Sequence, residues 1–197
     1  MPLDKLTIIG AGLLGSSIGL AARARGLARR VSALVRRPES LAECQALGIA
    51  NEVTLDPAEA VAGADLVVLC TPISGMAGLA KRTLPDLKPG TVITDVGSTK
   101  QQLVAELTPL CAGAGARFVG SHPMAGSDQT GPSAARADLF DGTVCVVTPT
   151  SDTDADALAT VNDFWAGLGS RPVVMPADTH DRLVARCSHL PHLLASA

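Results

Sequence analysis

The sequence predicts an α/β fold, built as a doubly wound, mainly parallel sheet and followed by the start of an all-helical C-terminal domain. Two observations predict this fold. Short apolar runs alternate with helically patterned stretches along most of the 197 residues, which is typical of parallel strands joined by right-handed helical crossovers. A glycine-rich turn also joins the first strand to the first helix, as in the Rossmann type of this architecture.

The glycine-rich turn lies between an apolar strand, Leu6–Ile9, and a helix that starts at Leu13. Its glycines have the spacing G-x-G-x-x-G, which in this context predicts a dinucleotide site. Gly10 permits the tight turn, Gly12 lets a pyrophosphate approach the backbone, and Gly15 lets the helix pack closely on the strand. The helix N-terminus offers N–H groups and a positive dipole end to the phosphates. The cofactor-binding positions predicted here are Gly10, Gly12, Leu13, Leu14 and Gly15.

The remaining elements follow in alternation. The further predicted strands are Val31–Val35, Asp65–Thr71, Thr91–Asp95, Arg117–Gly120, Thr143–Thr148 and Pro172–Met175. The further predicted helices are Pro38–Leu47, Pro57–Ala62, Ser74–Leu84, Thr99–Cys111 and Asp154–Leu168. Because ligands of such sheets bind at the carboxyl ends of the strands, we look for function in the residues just after each strand.

The α/β pattern ends at Pro176. Asp178 is a candidate N-cap with Asp181 three residues later, and the helix that follows reaches Ala197 without a stop signal. We therefore expect residues 1–176 to form a dinucleotide-binding domain. We expect residues 177–197 to form the first helix of a C-terminal helical domain whose remainder is absent from this sequence.

Composition excludes several classes of partner. The net charge is −3, and one Trp and three Phe provide little surface for base stacking, so neither nucleic acid nor an anionic membrane is an expected partner. The five cysteines form no C-x-x-C pair, which indicates buried free thiols in a reducing compartment. No signal peptide and no membrane-length apolar run are evident. We therefore expect a cytoplasmic location.

The residues after the second strand bear on which dinucleotide binds. An NAD site of this type places Asp or Glu there, about 20 residues after the glycines. This chain has Val35, followed by Arg36 and Arg37. A missing carboxylate and adjacent guanidinium groups favour the 2′-phosphate of NADP over NAD, although a solvated arginine turn is the alternative. Thr71 and Pro72 follow the next buried strand and steer the chain past the cofactor.

Three side chains after later strands are candidates for chemistry. His122 lies in a Pro- and Gly-flanked turn; an imidazole can accept the proton of a hydroxyl that is being oxidised, and a structural role is equally open. Ser98 is interpreted as a substrate contact or, preferably on the residues alone, as the N-cap of the next helix. Lys100 is interpreted as an anion-binding group or, preferably, as a solvated first-turn lysine.

The final helix contains Ser188-His-Leu-Pro191-His192. Pro191 is expected to kink it. The two histidines have no Cys, Asp or Glu ligands arranged with them, so we reject a metal site and interpret them as polar groups facing a domain cleft.

These motifs resemble those of the prephenate and arogenate dehydrogenases of tyrosine biosynthesis. The resemblance extends from Leu6 to Ala197. The segments that carry it are Gly10-Ala-Gly-Leu-Leu-Gly-Ser-Ser17, Cys70-Thr-Pro72, Asp95-Val-Gly-Ser-Thr-Lys100, Ser121-His-Pro-Met-Ala-Gly126, His180-Asp181 and Ser188-His-Leu-Pro-His192. The glycine motif is shared by many oxidoreductases, whereas the two histidine motifs together are far more specific.

The resemblance implies an NAD(P)-dependent oxidative decarboxylation, of prephenate to 4-hydroxyphenylpyruvate or of arogenate to tyrosine. It implies that His122 accepts or polarises the hydroxyl proton and that Ser98 orients the hydroxyl. It also implies substrate contacts from Ser127 and His192, with Asp128 beside them. Many bacterial members have Thr-Glu where this chain has Ser127-Asp128, so the two shorter side chains shift these contacts by about one methylene.

The family also has a C-terminal, mostly helical domain, which the resemblance implies would form a homodimer and supply an arginine for the substrate carboxylate. Two alternatives share the fold and stay open. One is a β-hydroxyacid or imine-type NADP-dependent reductase, and the other is a dinucleotide-binding module without catalysis. The sequence does not separate prephenate from arogenate.

Overall fold

In this computed structural model, which describes residues 2–186, strands and helices alternate as the sequence predicts. The strands are β1 Leu3–Ile9, β2 Ala28–Leu34, β3 Glu52–Thr54, β4 Leu66–Leu69, β5 Val92–Asp95, β6 Arg117–Phe118, β7 Gly120–Pro123, β8 Val144–Thr148 and β9 Arg171–Val174. The helices are α1 Leu13–Ala24, α2 Pro38–Ala46, α3 Pro57–Val61, α4 Ile73–Thr83, α5 Gln101–Gly113, α6 Ala155–Gly167 and α7 Ala177–Val184. Short 3₁₀ turns occur at Leu84–Asp86 and Pro132–Ala134.

The main sheet has six parallel strands in the order β3-β2-β1-β4-β5-β6. The chain therefore runs outward from β1 in one direction and then in the other, so the predicted doubly wound, mainly parallel sheet is confirmed. The register places Ile9 of β1 beside Leu34 of β2 and Leu69 of β4. The carboxyl ends of these strands consequently meet at one edge, at the glycine turn.

A second sheet continues the first in the order β7-β8-β9. Here β7 is antiparallel to β8, and β9 is parallel to β8. The strand predicted at Arg117–Gly120 is confirmed at Arg117–Phe118, and the Val119 N–H still donates to Ile93 of β5. At Gly120 the chain then starts a second strand, β7, which was not predicted. A Cβ at Gly120 would lie 2.5 Å from Thr148 Oγ1, so glycine permits the close approach of β8. The three-residue strand β3 was not predicted because it has little apolar pattern.

Alternate side chains of the parallel strands pack on opposite faces. Leu6 and Ile8 of β1 join a core cluster with Trp165 of α6. Ile9 of the same strand joins a second cluster with Met76 of α4. This alternation is expected for a parallel sheet that is covered by helices on both faces, and it leaves the strand ends open for a ligand.

The start of α7 differs from the prediction. Its N-cap is Pro176, which makes no side-chain cap, so the predicted cap by Asp178 is wrong. The Asp178 carboxylate instead accepts hydrogen bonds from the Thr179 N–H and from the Arg182 guanidinium. The predicted continuation of this helix beyond residue 186 lies outside the described residues, and the proposed domain boundary stays a prediction. Within residues 2–186, no helix has the length and apolarity needed to cross a membrane.

Candidate active site

A cleft of about 800 Å³ opens at the carboxyl ends of the strands. It is lined by residues of the glycine turn and the start of α1 and by residues of β7 with the loop that follows it. The lining residues are Gly12, Leu13, Leu14, Cys70, Thr71, Pro72, Ile73, Ser74, Val96, Gly97, Ser98, His122, Pro123, Ala125, Gly126, Ser127, Gln129, Thr130 and Gly131. The topology thus brings the predicted glycine, serine and histidine positions to one place.

Glycine occupies each of the three motif positions for a different structural reason. Gly10 has a φ of 100°, and a Cβ there would lie 3.0 Å from the Cys70 carbonyl carbon. A Cβ at Gly15 would lie only 2.0 Å from the Gly10 carbonyl oxygen, so glycine allows α1 to pack on the turn. A Cβ at Gly12 would have no atom within 4 Å and would enter the open cleft.

This glycine wall fits a dinucleotide. The open approach at Gly12 leaves room for a pyrophosphate at the N-terminus of α1, where N–H groups have no helical acceptor. The Thr71 Oγ1 is buried and has no hydrogen-bond partner among the described residues, although Thr71 lines the cleft. An orphaned hydroxyl at such a place is explained by a ligand that bonds to it.

Arg36 and Arg37 lie just beyond the end of β2 and are both exposed. Val35, which occupies the position of the ribose-binding acid, is buried. Neither arginine lines the cleft described above. Because β2 neighbours β1 in the sheet, the chain at Arg36 and Arg37 follows the strand next to the one that leads into the glycine turn.

His122 is half-buried on β7 and lines the cleft. Its Nδ1 lies 2.9 Å from Nε2 of His180, on α7. Nδ1 of His180 in turn lies 2.7 Å from Oδ1 of Asp181. Sequence reasoning listed His180 and Asp181 only as part of a motif, and it did not foresee that they contact His122.

Lys100 is fully buried, so its interpretation as a solvated lysine is wrong. Its ammonium group forms an ion pair with the Asp95 carboxylate and donates to the Ser121 carbonyl oxygen at 2.8 Å. The remaining acceptor positions of Asp95 bind the N–H groups of Gly97 and Ser121. The lysine therefore fixes β5 to β7 below the cleft and is not among the cleft-lining residues.

Ser98 is exposed and lines the cleft. It does not cap the next helix, as preferred from the residues alone: the N-cap position of α5 is Lys100, without a side-chain cap. The first N–H groups of α5 bond instead to Asp181, whose two carboxylate oxygens accept from Lys100 at 2.8 Å and Gln101 at 2.9 Å. Ser98 thus keeps its side chain on the cleft wall.

The structure describes two of the three substrate positions that the resemblance suggests. Ser127 lines the cleft, where its hydroxyl donates to Asp128 at 3.0 Å and accepts from the Gln129 N–H at 3.1 Å. Asp128 is exposed and is not among the lining residues. His192 lies outside the described residues. Residues 2–186 contain no cluster of three or more His, Cys, Asp or Glu side chains that could hold a metal ion.

Residues 18–174 match the family model described as prephenate dehydrogenase, nucleotide-binding domain. The chain is 37% identical over 190 residues to cyclohexadienyl dehydrogenase of Zymomonas mobilis, covering 96% of this chain and 64% of that protein. It is 34% identical over 196 residues to prephenate dehydrogenase of Lactococcus lactis, covering 98% of this chain and 52% of that protein. The chain thus spans half to two thirds of the length of these relatives.

Solved structures agree with this grouping. Prephenate dehydrogenase from A. aeolicus, in complex with hydroxyphenyl propionate and NAD+, has a TM-score of 0.92 at 30% identity and covers 99% of this chain and 68% of that one. Arogenate dehydrogenase from Synechocystis has a TM-score of 0.88 at 30% identity, and the match covers 95% of this chain and 65% of that one. A 3-hydroxyisobutyrate dehydrogenase from Mycobacterium tuberculosis shares the fold alone. It has a TM-score of 0.76 at 16% identity, and the match covers 96% of this chain and 60% of that one.

Proposed function

The chain belongs to the prephenate dehydrogenase family, and from this we propose that it is the nucleotide-binding part of an NAD(P)-dependent enzyme that oxidatively decarboxylates prephenate or arogenate. One observation of the structure carries the proposal. The same cleft is lined by Gly12 of the glycine turn and by His122. This supports a site in which the imidazole accepts a proton beside a bound redox dinucleotide.

Both substrates have a cyclohexadiene ring with a hydroxyl at one carbon and a carboxylate at the opposite carbon. The reaction removes a hydride and the hydroxyl proton, and then the carboxylate as CO₂, whose bonding electrons enter the ring and make it aromatic. The nicotinamide, when bound, supplies the hydride acceptor. The proton taken from the hydroxyl is available for return to the phenolate oxygen that aromatisation creates, so the charges balance.

The chain's own residues then have distinct tasks. Gly12, the N-terminus of α1 and the Thr71 hydroxyl would hold the dinucleotide. His122 would accept the hydroxyl proton, because an imidazole titrates near neutral pH. Ser98, on the same cleft, would orient the hydroxyl, and Ser127 would contact the substrate. Roles for Asp128 and His192 rest on the resemblance alone.

The test of the activity is initial-rate kinetics of the full-length protein with prephenate and arogenate, each with NAD+ and NADP+. We expect reduced dinucleotide to form with at least one pair. His122→Asn should leave dinucleotide affinity nearly unchanged while kcat falls about 10²–10⁴-fold, the usual contribution of a general base. No turnover of either substrate would refute the proposal, and activity on β-hydroxyacids instead would favour the reductase alternative.

The dinucleotide is proposed to be NADP rather than NAD, because Arg36 and Arg37 are exposed where a ribose-binding acid is missing. An Arg36→Ala, Arg37→Ala double variant should raise the KM for NADP+ and leave the KM for NAD+ nearly unchanged. Equal effects on both cofactors would contradict the assignment.

We propose further that residues 1–176 form the dinucleotide-binding domain and that a helical domain begins at 177 and forms a homodimer. The likeness to relatives that are longer than this chain supports this division. Light scattering of the full-length protein tests it: a mass of twice the chain is expected, and a monomer would contradict it.

A further inference from the structure

Three side chains form a continuous path from the cleft through the buried His180 to the partly exposed Asp181. His122 lines the cleft, its Nδ1 lies 2.9 Å from His180 Nε2, and His180 Nδ1 lies 2.7 Å from Asp181 Oδ1. The His180 ring is 1% exposed and meets the His122 ring edge-to-face, at an interplanar angle of 78°. We call these three side chains the histidine relay.

The hydrogen bonds of the relay fix which nitrogens bear protons. A carboxylate can only accept, so His180 must donate from Nδ1. In its neutral form, His180 then has a lone pair on Nε2, and His122 must donate to it from Nδ1. That places the lone pair of neutral His122 on Nε2. The tautomer of one ring nitrogen is thus set by the partner of the other.

This assignment requires Asp181 to be ionised. Its partial burial acts to raise the pKa, but the N–H groups of Gln101 and Lys100 and the His180 side chain outweigh that effect, and the pKa of Asp181 is lowered. Because the carboxylate is fixed by two backbone N–H groups of α5, its orientation toward His180 does not depend on solvent.

Among residues 2–186, the other ionisable groups on β5, on β8, on α7 and at the start of α5 are paired with one another or neutral. On β5 and at the start of α5, Asp95 and Lys100 are paired with each other. On β8, the Cys145 thiol is neutral, since burial raises its pKa. On α7 itself, Asp178 is paired with Arg182 at the surface. Asp181 is therefore the carboxylate that acts on His180.

We propose that His180 and Asp181 are positioning residues that hold His122 with its proton on Nδ1 and its lone pair on Nε2, ready to accept the substrate's hydroxyl proton. The inference rests on the proposed function of His122. When His122 becomes an imidazolium, its Nδ1 proton can be shared with His180, and the Asp181 charge stabilises the pair. The relay then makes His122 both a correctly oriented and a stronger base.

A merely structural role is the competing explanation, because Asp181 also caps α5. The two explanations differ in what they predict for the His122 ring. A structural role predicts only loss of stability on substitution. The relay predicts a change of tautomer that His180→Gln avoids, since the glutamine oxygen can accept from His122 while its amide donates to Asp181.

The first test is ¹⁵N NMR of the histidine rings in the full-length protein, which needs no activity. Wild type should show His122 protonated at Nδ1. His180→Ala should move the proton toward Nε2, and His180→Gln should keep it at Nδ1. Asp178→Asn, the matched amide substitution on the same helix, should change nothing. A wild-type His122 protonated at Nε2 would overturn the proposal.

The second test is the pH profile of kcat/KM, which separates this inference from the proposed function. If wild type turns over, His180→Ala should lower kcat on the order of 10²-fold, a share of the general-base contribution, with little change in dinucleotide KM. His180→Gln should recover most of that loss.

Asp181→Asn removes the charge that favours the imidazolium of His122. The acid limb of the kcat/KM pH profile should therefore lie at lower pH in this variant than in wild type. The relay would be overturned if the acid limb of Asp181→Asn stays where it is in wild type and the kcat of His180→Gln stays as low as that of His180→Ala. Absence of wild-type turnover would instead refute the proposed function and leave the tautomer measurement to decide the relay.

Discussion

In the glycine half of the cleft, formed by β1, α1 and β2, the closest approach is to a backbone atom. In the histidine half, formed by β5, α5, β7 and α7, the contacts that join the elements are made by charged and polar side chains. Gly15 lies so close to the Gly10 carbonyl that no Cβ fits between them. Across the cleft, the buried Lys100–Asp95 pair and the His122–His180 contact hold the elements together.

The two halves also differ in what specifies their closest contacts. In the glycine turn, the closest approach is between Gly15 and the Gly10 carbonyl oxygen, two positions of one motif, although Gly10 also lies against the chain at Cys70. In the histidine half, the contact between His122 and His180 joins side chains that are 58 residues apart. A motif that specifies its own closest contact thus faces side chains that meet only in the fold, and substitutions in the two halves should fail in different ways.

The largest effect is expected in the histidine half, from Lys100→Met. The methionine fills a similar volume but leaves the Asp95 carboxylate buried without its cation. Breaking a buried pair in this way costs about 3–5 kcal/mol, and the loss should appear as a lower free energy of unfolding in urea.

Lys88→Met is the matched control, because Lys88 pairs with Asp65 while their side chains are 43% and 26% exposed. An exposed pair contributes about 0–1 kcal/mol. Equal losses in the two variants would show that the buried pair has no special part in the histidine half.

In the glycine half, Gly15→Ala should lower the free energy of unfolding by about 1–3 kcal/mol, since its Cβ would overlap the Gly10 carbonyl and force α1 away from the turn.

Gly12→Ala should change the free energy of unfolding by about 1 kcal/mol at most, the cost of an alanine at an N-cap. Its methyl group enters the open cleft, so it should instead weaken dinucleotide binding.

Urea unfolding and fluorescence titration of both variants with NADPH and with NADH measure the two properties separately. The expected result is a crossed pattern, with stability lost in one variant and affinity lost in the other. If Gly12→Ala binds dinucleotide as wild type does, the cleft beside the glycine turn is not the phosphate site.

The same contrast explains what the sequence predicts well. The glycine turn, the buried strand before Thr71 and the parallel order were predictable, because each depends on a local pattern of glycines or apolar residues. Lys100 was interpreted as solvated, since a lysine in a first helical turn has no local reason to be buried. Its partner Asp95 lies in the same sequence motif, but the pair is enclosed only when β7 packs against β5.

The histidine relay was likewise beyond sequence reasoning. The sequence predicts His180 in a helix, and it gives Asp181 a part in the start of that helix and in a family motif. The contact with His122 requires α7 to pack against both α5 and β8, which no pattern within any of these elements specifies. Ser98 was first interpreted as a cap for the same reason, because the actual acceptor of the α5 N–H groups comes from a distant helix.

The smallest expected effect concerns two carboxylates, Asp65 at the end of the sheet opposite the cleft and Asp181 in the histidine half. Asp65 and Asp181 each accept hydrogen bonds from two successive backbone N–H groups, at Asp4 and Lys5 in the first case and at Lys100 and Gln101 in the second. Partial burial acts to raise both pKa values. For Asp65 it is outweighed by Lys88 and the two N–H groups, and the pKa of each carboxyl is lowered overall.

A carboxyl with a lowered pKa in the folded state contributes stability that is present above its unfolded pKa, near about 4, and is lost as the pH falls through its folded pKa. Asp65→Asn and Asp181→Asn should therefore lose less stability than wild type on acidification, measured as urea midpoints from neutral pH downward. Curves parallel to wild type would contradict this. A shallower curve in Asp181→Asn alone would mean that the histidine half of the cleft is sensitive to acid and that the opposite end of the sheet is not.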